Sequence, residues 1–259
     1  MKRFTTVSLL LAGLIATCTG RNIEVGNNQL QGSSSEVSSE TKESMHRIEL
    51  ACYEKTGSSQ TFEAIGASFA FVPVCFFMKI DGVDFMNDLD RLNTNASTRH
   101  EFFPKYCPQI RNVLPCLDPP MNELSKCLDD DDTLILHGTY NAMPEALDLI
   151  CENDGEILFQ EGASLEVCMK NYYNYSEECG DLVSNSTNIM AVSKYGEAQC
   201  GELSQVRDCM QSKFNECNGP RLMDVFDVFW SAVLKNSPCR NVILRTNEID
   251  DDKARQQAD

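Results

Sequence analysis

Basic residues are scarce in this chain. Its 259 residues include 22 lysines and arginines against 39 aspartates and glutamates, a formal charge of −17. Nucleic acid and anionic membranes repel such a protein, so neither is an expected partner, and high solubility is the plain consequence. Histidine is scarcer still, with His46, His100 and His137 alone. No HExxH is present, so the helical pair of imidazoles that zinc hydrolases use is missing. Gly66-Ala-Ser68 and Gly162-Ala-Ser164 both lack the closing glycine of a GxSxG elbow. Walker loops and GxGxxG loops are absent. So is any CxxC pair, which removes zinc ribbons and thioredoxin-type redox chemistry. Asp129 to Asp132 is a carboxylate run without the alternate spacing, glycine and glutamate of an EF-hand, and is expected to be a solvated loop. No catalytic residue, metal ligand or cofactor is therefore assigned.

Long apolar runs are also lacking. Ala64 to Met78 is the longest after the amino terminus, interrupted by Gly66, Ser68 and Pro73. A span needs about 20 residues, so this segment is expected to be a buried helix, and no membrane span is expected. At the amino terminus, Lys2 and Arg3 precede an apolar run from Val7 to Ala16, then small residues to Gly20. That is the layout of a secretory signal peptide over 1–20. Residues 21–46 are polar and are expected to be a disordered arm, because they cannot bury enough surface to offset ordering entropy. A cysteine-rich helical domain is expected over 47–245 and an acidic disordered tail over 246–259.

What the chain has in plenty is cysteine. There are 13, and Cys18 leaves with the expected signal peptide. The even set that remains is Cys52, Cys75, Cys107, Cys116, Cys127, Cys151, Cys168, Cys179, Cys200, Cys209, Cys217 and Cys239. In an exported chain these read as six disulfides, whose pairing the sequence leaves open. Three sequons, at Asn95, Asn174 and Asn185, become glycosylation sites on exposed loops in that setting.

The periodicity is helical. Leu222, Val225, Phe226, Phe229, Trp230, Val233 and Leu234 form one face over three turns. Val206, Cys209, Met210, Phe214 and Cys217 form a second, with Ser204 as its expected cap. Shorter runs follow Pro120 and Pro144, while Asp81-Gly82 and Asp154-Gly155 read as helix-to-helix turns. The expected fold is all-α, a disulfide-stapled helical bundle. Cys107 and Cys116 are spaced like Cys200 and Cys209, and a third cysteine follows each pair, which suggests two similar halves. Phe226, Phe229 and Trp230 are candidates for an apolar pocket, against the plainer reading as core. Phe69, Phe71, Phe76 and Phe77 carry the same two readings.

The cysteine series, with FFPKYCPQIRNVLPCL (102–117), LSKCL (124–128), LDLICENDGEILFQEGASLEVC (147–168), EAQCGELSQVRDCMQSKFNEC (197–217) and LMDVFDVFWSAVLKNSPC (222–239), resembles the insect 27 kDa hemolymph glycoproteins. These are secreted helical proteins with no established biochemical activity. The resemblance implies an arthropod protein secreted into hemolymph or a comparable fluid, and it carries no catalytic residue across. Insect odorant-binding proteins need two cysteines separated by three residues, whereas the tightest interval here is seven, between Cys209 and Cys217. The expected function is binding of an apolar small molecule or a protein, without catalysis. The rivals are a salivary or venom effector that binds a host protein, a hydrolase with an unrecognised site, and a storage protein.

Overall fold

A computed structural model describes residues 39–159, 165–180, 182, 189–217, 219 and 221–240. The expected signal peptide, the first part of the polar arm, the acidic tail and Asn185 lie outside them. Every regular element among the described residues is helical. The chain divides into two compact units, with the boundary between Asp129 and Asp130.

The first unit contains α1 (Ser39–Thr56), α2 (Gln60–Lys79), α3 (Gly82–Thr94), α4 (Arg99–Val113) and α5 (Asp118–Ser125). Helix α1 starts inside the segment expected to be a disordered arm. Once its later turns are packed, adding residues at its start needs no new nucleus. Asp81 starts α3 by accepting hydrogen bonds from the backbone N–H groups of Val83 and Asp84, at 3.0 and 3.1 Å. Gly82 beside it lies under the Phe77 ring, 2.4 Å from where a Cβ would stand, so a larger residue there would have to displace that exposed ring. The core between α3 and α4 is aromatic. Phe85 meets Tyr106 edge-on at 4.9 Å, and Phe102 lies 4.8 Å from Tyr106. The Tyr106 hydroxyl donates to Asp88 at 2.8 Å, which satisfies its one polar atom.

The second unit contains α6 (Asp130–Asn141), α7 (Met143–Cys151), α8 (Leu165–Gly180), α9 (Glu197–Glu216) and α10 (Leu222–Lys235). Helix α10 packs on α6, α7 and α9, and α8 packs on α9. The expected carboxylate loop is instead helical. Asp130, Asp131 and Asp132 form the first turn of α6, where negative charge favours the helix dipole. Ser204 is not a cap. Helix α9 begins at Glu197, and Ser204 lies inside it, donating to the Gly201 carbonyl. The buried face continues before Ser204 through Leu203 and Cys200, and the first turn is opened by Gly196, whose N–H donates to Gln199 Oε1. Both expected Asp-Gly turns are present. The second is a left-handed stretch at Asn153, Asp154 and Gly155, with φ of 50°, 56° and 73°. Asn, Asp and Gly are the residues that tolerate this region best.

All twelve cysteines from Cys52 to Cys239 are disulfide-bonded. In the first unit Cys52–Cys127 encloses Cys75–Cys116. In the second, Cys168–Cys217 encloses Cys179–Cys209, and Cys200 joins Cys239. The same nested pair therefore occurs in each unit.

One expectation about burial fails. The segment Ala64–Met78 forms the middle of α2, but α2 buries only Ile65. Its apolar residues run all round the helix, whereas its packing partners, α1, α4, α5 and the turn Leu114–Leu117, cover one side. A helix apolar on every side cannot bury them all against neighbours on one.

Candidate functional site

Two features of the structure are open to a partner. The first is the outer face of α2. Helical spacing puts Ala67, Ala70, Phe71, Val74 and Met78 on it. Phe71 is 50% exposed, Val74 51%, Phe77 55% and Met78 77%. Phe69 is exposed too, while Phe76 turns inward and meets Phe85 edge-on at 5.7 Å. The Cys75–Cys116 bridge fixes the rotation of α2, so this face stays outward. By length and composition α2 could also cross a bilayer, with a mean hydropathy of 1.6 over 18 residues. A monomeric protein seldom exposes a contiguous apolar patch beyond a few hundred Å², and larger ones mark interaction sites.

The second feature is a cleft of about 660 Å³ between α10 and the α6–α7 corner. Its lining includes Asn141, Glu145, Asp224, Asp227, Ser231 and Lys235. Asp227 is engaged by a two-pronged contact from Arg207, at 2.8 and 2.6 Å, which pushes the guanidinium further up. Gly138 lets α6 approach α10 here, because a Cβ would overlap the Asn236 side chain. The cleft carries acidic side chains beside a smaller apolar lining of Ala142, Val228 and Ala232.

Phe226, Phe229 and Trp230 do not line this cleft. They sit on the opposite side of α10. Phe229 is buried, and Phe226 stacks on Trp230 at 5.6 Å and meets Phe214 at 6.4 Å. The remaining functional candidates are scattered. His46 is on α1, His100 on α4 and His137 on α6, and His46 lies 3.4 Å from Glu49. Asn95 ends α3 in a turn, its Oδ1 accepting from the N–H and hydroxyl of Ser97. Asn174 is exposed, but it lies within helix α8 rather than on a loop.

The strongest electrostatic cluster is structural. Asp88 accepts from Lys105 at 2.7 Å, from Tyr106, and from Arg91 at 3.2 Å. These bonds hold its carboxyl below the ordinary value, raise the Lys105 ammonium, and join α3 to α4. Desolvation raises Tyr106. Lys213 is raised by Glu178, 2.7 Å away.

The outer face of α2 escaped the sequence reading because its residues were read as core. Its signal was nonetheless present: an apolar helix without a polar side has no way to specify which half turns inward.

Fold and bridges define a class, the disulfide-stapled all-helical proteins suited to an oxidising compartment. Within that class the chain belongs to the family described as "Protein of unknown function (DUF1397)", whose profile matches residues 38–239. A 27 kDa hemolymph protein of Galleria mellonella is 23% identical over 144 residues, covering 54% of this chain and 60% of the relative. The match thus spans less than two thirds of that protein. No solved structure matches the chain. The hemolymph relative and the bridges fit a secreted protein.

Proposed function

We propose that this is a secreted protein of an arthropod body fluid that works by binding a partner through the outer face of α2, without catalysis. One observation carries the reading: a disulfide-locked helix keeps a run of aromatic and aliphatic side chains outward. Each large apolar side chain removed from water gains about 1.5–3 kcal/mol, so covering four of them supplies a substantial share of a binding free energy. The bridges make the face rigid, which lowers the ordering cost of contact. The hemolymph relative supports the compartment. Glycans on Asn95 and Asn174, both exposed, belong to the same proposal.

The test is native mass spectrometry of protein from its source fluid, beside its denatured mass. It is paired with peroxide oxidation of Met78, the most exposed large apolar side chain of α2. A bound species, with Met78 protected in the fluid and fully reactive after denaturation, is the expected result. A bare monomer whose Met78 oxidises equally fast in fluid and in buffer overturns the reading.

A further inference from the structure

The sequons at Asn95 and Asn174 are built differently. At Asn95 the side-chain Oδ1 accepts from the Ser97 N–H at 3.0 Å and from the Ser97 hydroxyl at 2.8 Å. Asn95 and Ser97 are both exposed, so amide and hydroxyl lie together on one open side of a turn. At Asn174 the backbone is helical. Residues i and i+2 of a helix point about 200° apart, so they do not share a side. Asn174 is accordingly exposed, while Ser176 is only 4% exposed and donates its hydroxyl to the Tyr172 carbonyl at 2.8 Å. Tyr172, one turn before Ser176, is stacked on Phe214 of α9. Cys179–Cys209 ties α8 to α9, and Cys168–Cys217 ties it to the residue that ends α9.

Glycan transfer to a sequon needs both groups at once. The asparagine amide nitrogen attacks the anomeric carbon of an oligosaccharide carried on a lipid diphosphate. A C–N bond forms and the bond from that carbon to the diphosphate oxygen breaks. The amide loses one proton, and the lipid diphosphate leaves with the electron pair. The motif requires Ser or Thr two residues on because the transferase reads that hydroxyl.

Resting on the reading of Asn95 and Asn174 as glycosylated, we propose that the folded protein can carry a glycan on Asn174 but cannot receive one there. The transferase finds Asn95 open in the folded chain. It finds Asn174 only before α8 docks on α9, while the Ser176 hydroxyl is still free. Cys209 and Cys217 follow Asn174 by 35 and 43 residues. At about 5–20 residues per second, roughly 2–9 s of synthesis pass before both partner cysteines exist. Occupancy of Asn174 is thus set in competition with closure of the second unit's bridges and is fixed afterwards.

The test uses the oxidised full chain made in a bacterial periplasm, which forms disulfides and adds no glycan of this kind. Its helical circular dichroism spectrum confirms folding. It is incubated with purified oligosaccharyltransferase and a lipid-diphosphate oligosaccharide, and each site is followed by peptide mapping. In the folded chain, transfer to Asn174 is expected to be at least about tenfold slower than to Asn95, because α8 must open first. In the reduced, unfolded chain the two rates should be similar. C179A/C209A, with one bridge fewer holding α8, should speed Asn174 severalfold and leave Asn95 unchanged. Equal rates at the two sites in the folded chain, or an Asn174 rate indifferent to reduction, overturn the proposal but keep the glycans. A reduced chain modified at neither asparagine overturns the glycan reading as well.

Discussion

Helices α2 and α10 are about equally apolar, yet they sit in the protein in opposite ways. Helix α10 buries Leu222, Met223, Val225, Phe229 and Val233. Helix α2 buries Ile65. Arrangement explains the contrast. Asp224, Asp227, Ser231 and Lys235 give α10 a polar side toward the cleft, so its other side goes to α9 and the core. No such division exists in α2, and its neighbours cover only part of it. Apolar content by itself therefore does not fix burial; segregation of the apolar residues and the number of packing partners do.

The comparison is broken most sharply by matched truncations. Phe229→Ala leaves a cavity in the second unit and is expected to cost about 3–5 kcal/mol in chemical denaturation. Phe71→Ala on α2 removes a half-exposed ring and is expected to change stability by no more than about 0.5 kcal/mol. Equal losses would show that the outer face of α2 is covered within the chain.

Bridges come next. Replacing Cys168 and Cys217 together by alanine is expected to cost about 2–4 kcal/mol, and replacing Cys52 and Cys127 a similar amount, because each pair closes the outer loop of its unit. Thermal unfolding of the two double variants side by side shows whether the nested pattern holds both units equally.

A smaller effect is expected at Arg207, whose fork binds Asp227 on α10. Arg207→Lys keeps the charge but loses the two-pronged geometry, and should cost no more than about 1 kcal/mol given the partial exposure of the pair. Urea unfolding measures it.

The smallest effect is a pH dependence in the first unit. Asp88 has a folded-state value below its ordinary 3.8. Its contribution to stability is therefore complete above the unfolded-state value and is lost as pH falls through the lower folded-state one. Asp88→Asn should flatten the acid limb of stability against pH while leaving the second unit unchanged. An unaltered acid limb would remove Asp88 from the account.

Much of the fold was legible beforehand, for reasons that individual residues make plain. The face Leu222 to Leu234 has helical period and a polar side, so both helix and burial could be read from it. The turn at Asp154-Gly155 was legible because few residues tolerate its left-handed backbone, and the one at Asp81-Gly82 because aspartate is a favoured helix cap. Ser204 misled because the run from Val206 is the middle of α9, whose buried face begins earlier, at Cys200 and Leu203. Asn174 misled because an exposed helical face and an exposed loop give a sequon the same surroundings in sequence.

Local chemistry is what the sequence determined: all-helical structure from periodicity, an oxidising compartment from twelve cysteines and their spacing, and the absence of familiar catalytic motifs. Tertiary structure decided three other things. It set which cysteines pair, because pairing depends on distances between helices far apart in the chain. It turned Phe226, Phe229 and Trp230 away from the acidic cleft. And it left the outer face of α2 open, because burial is a property of what lies beside a helix, which the helix's own residues do not encode.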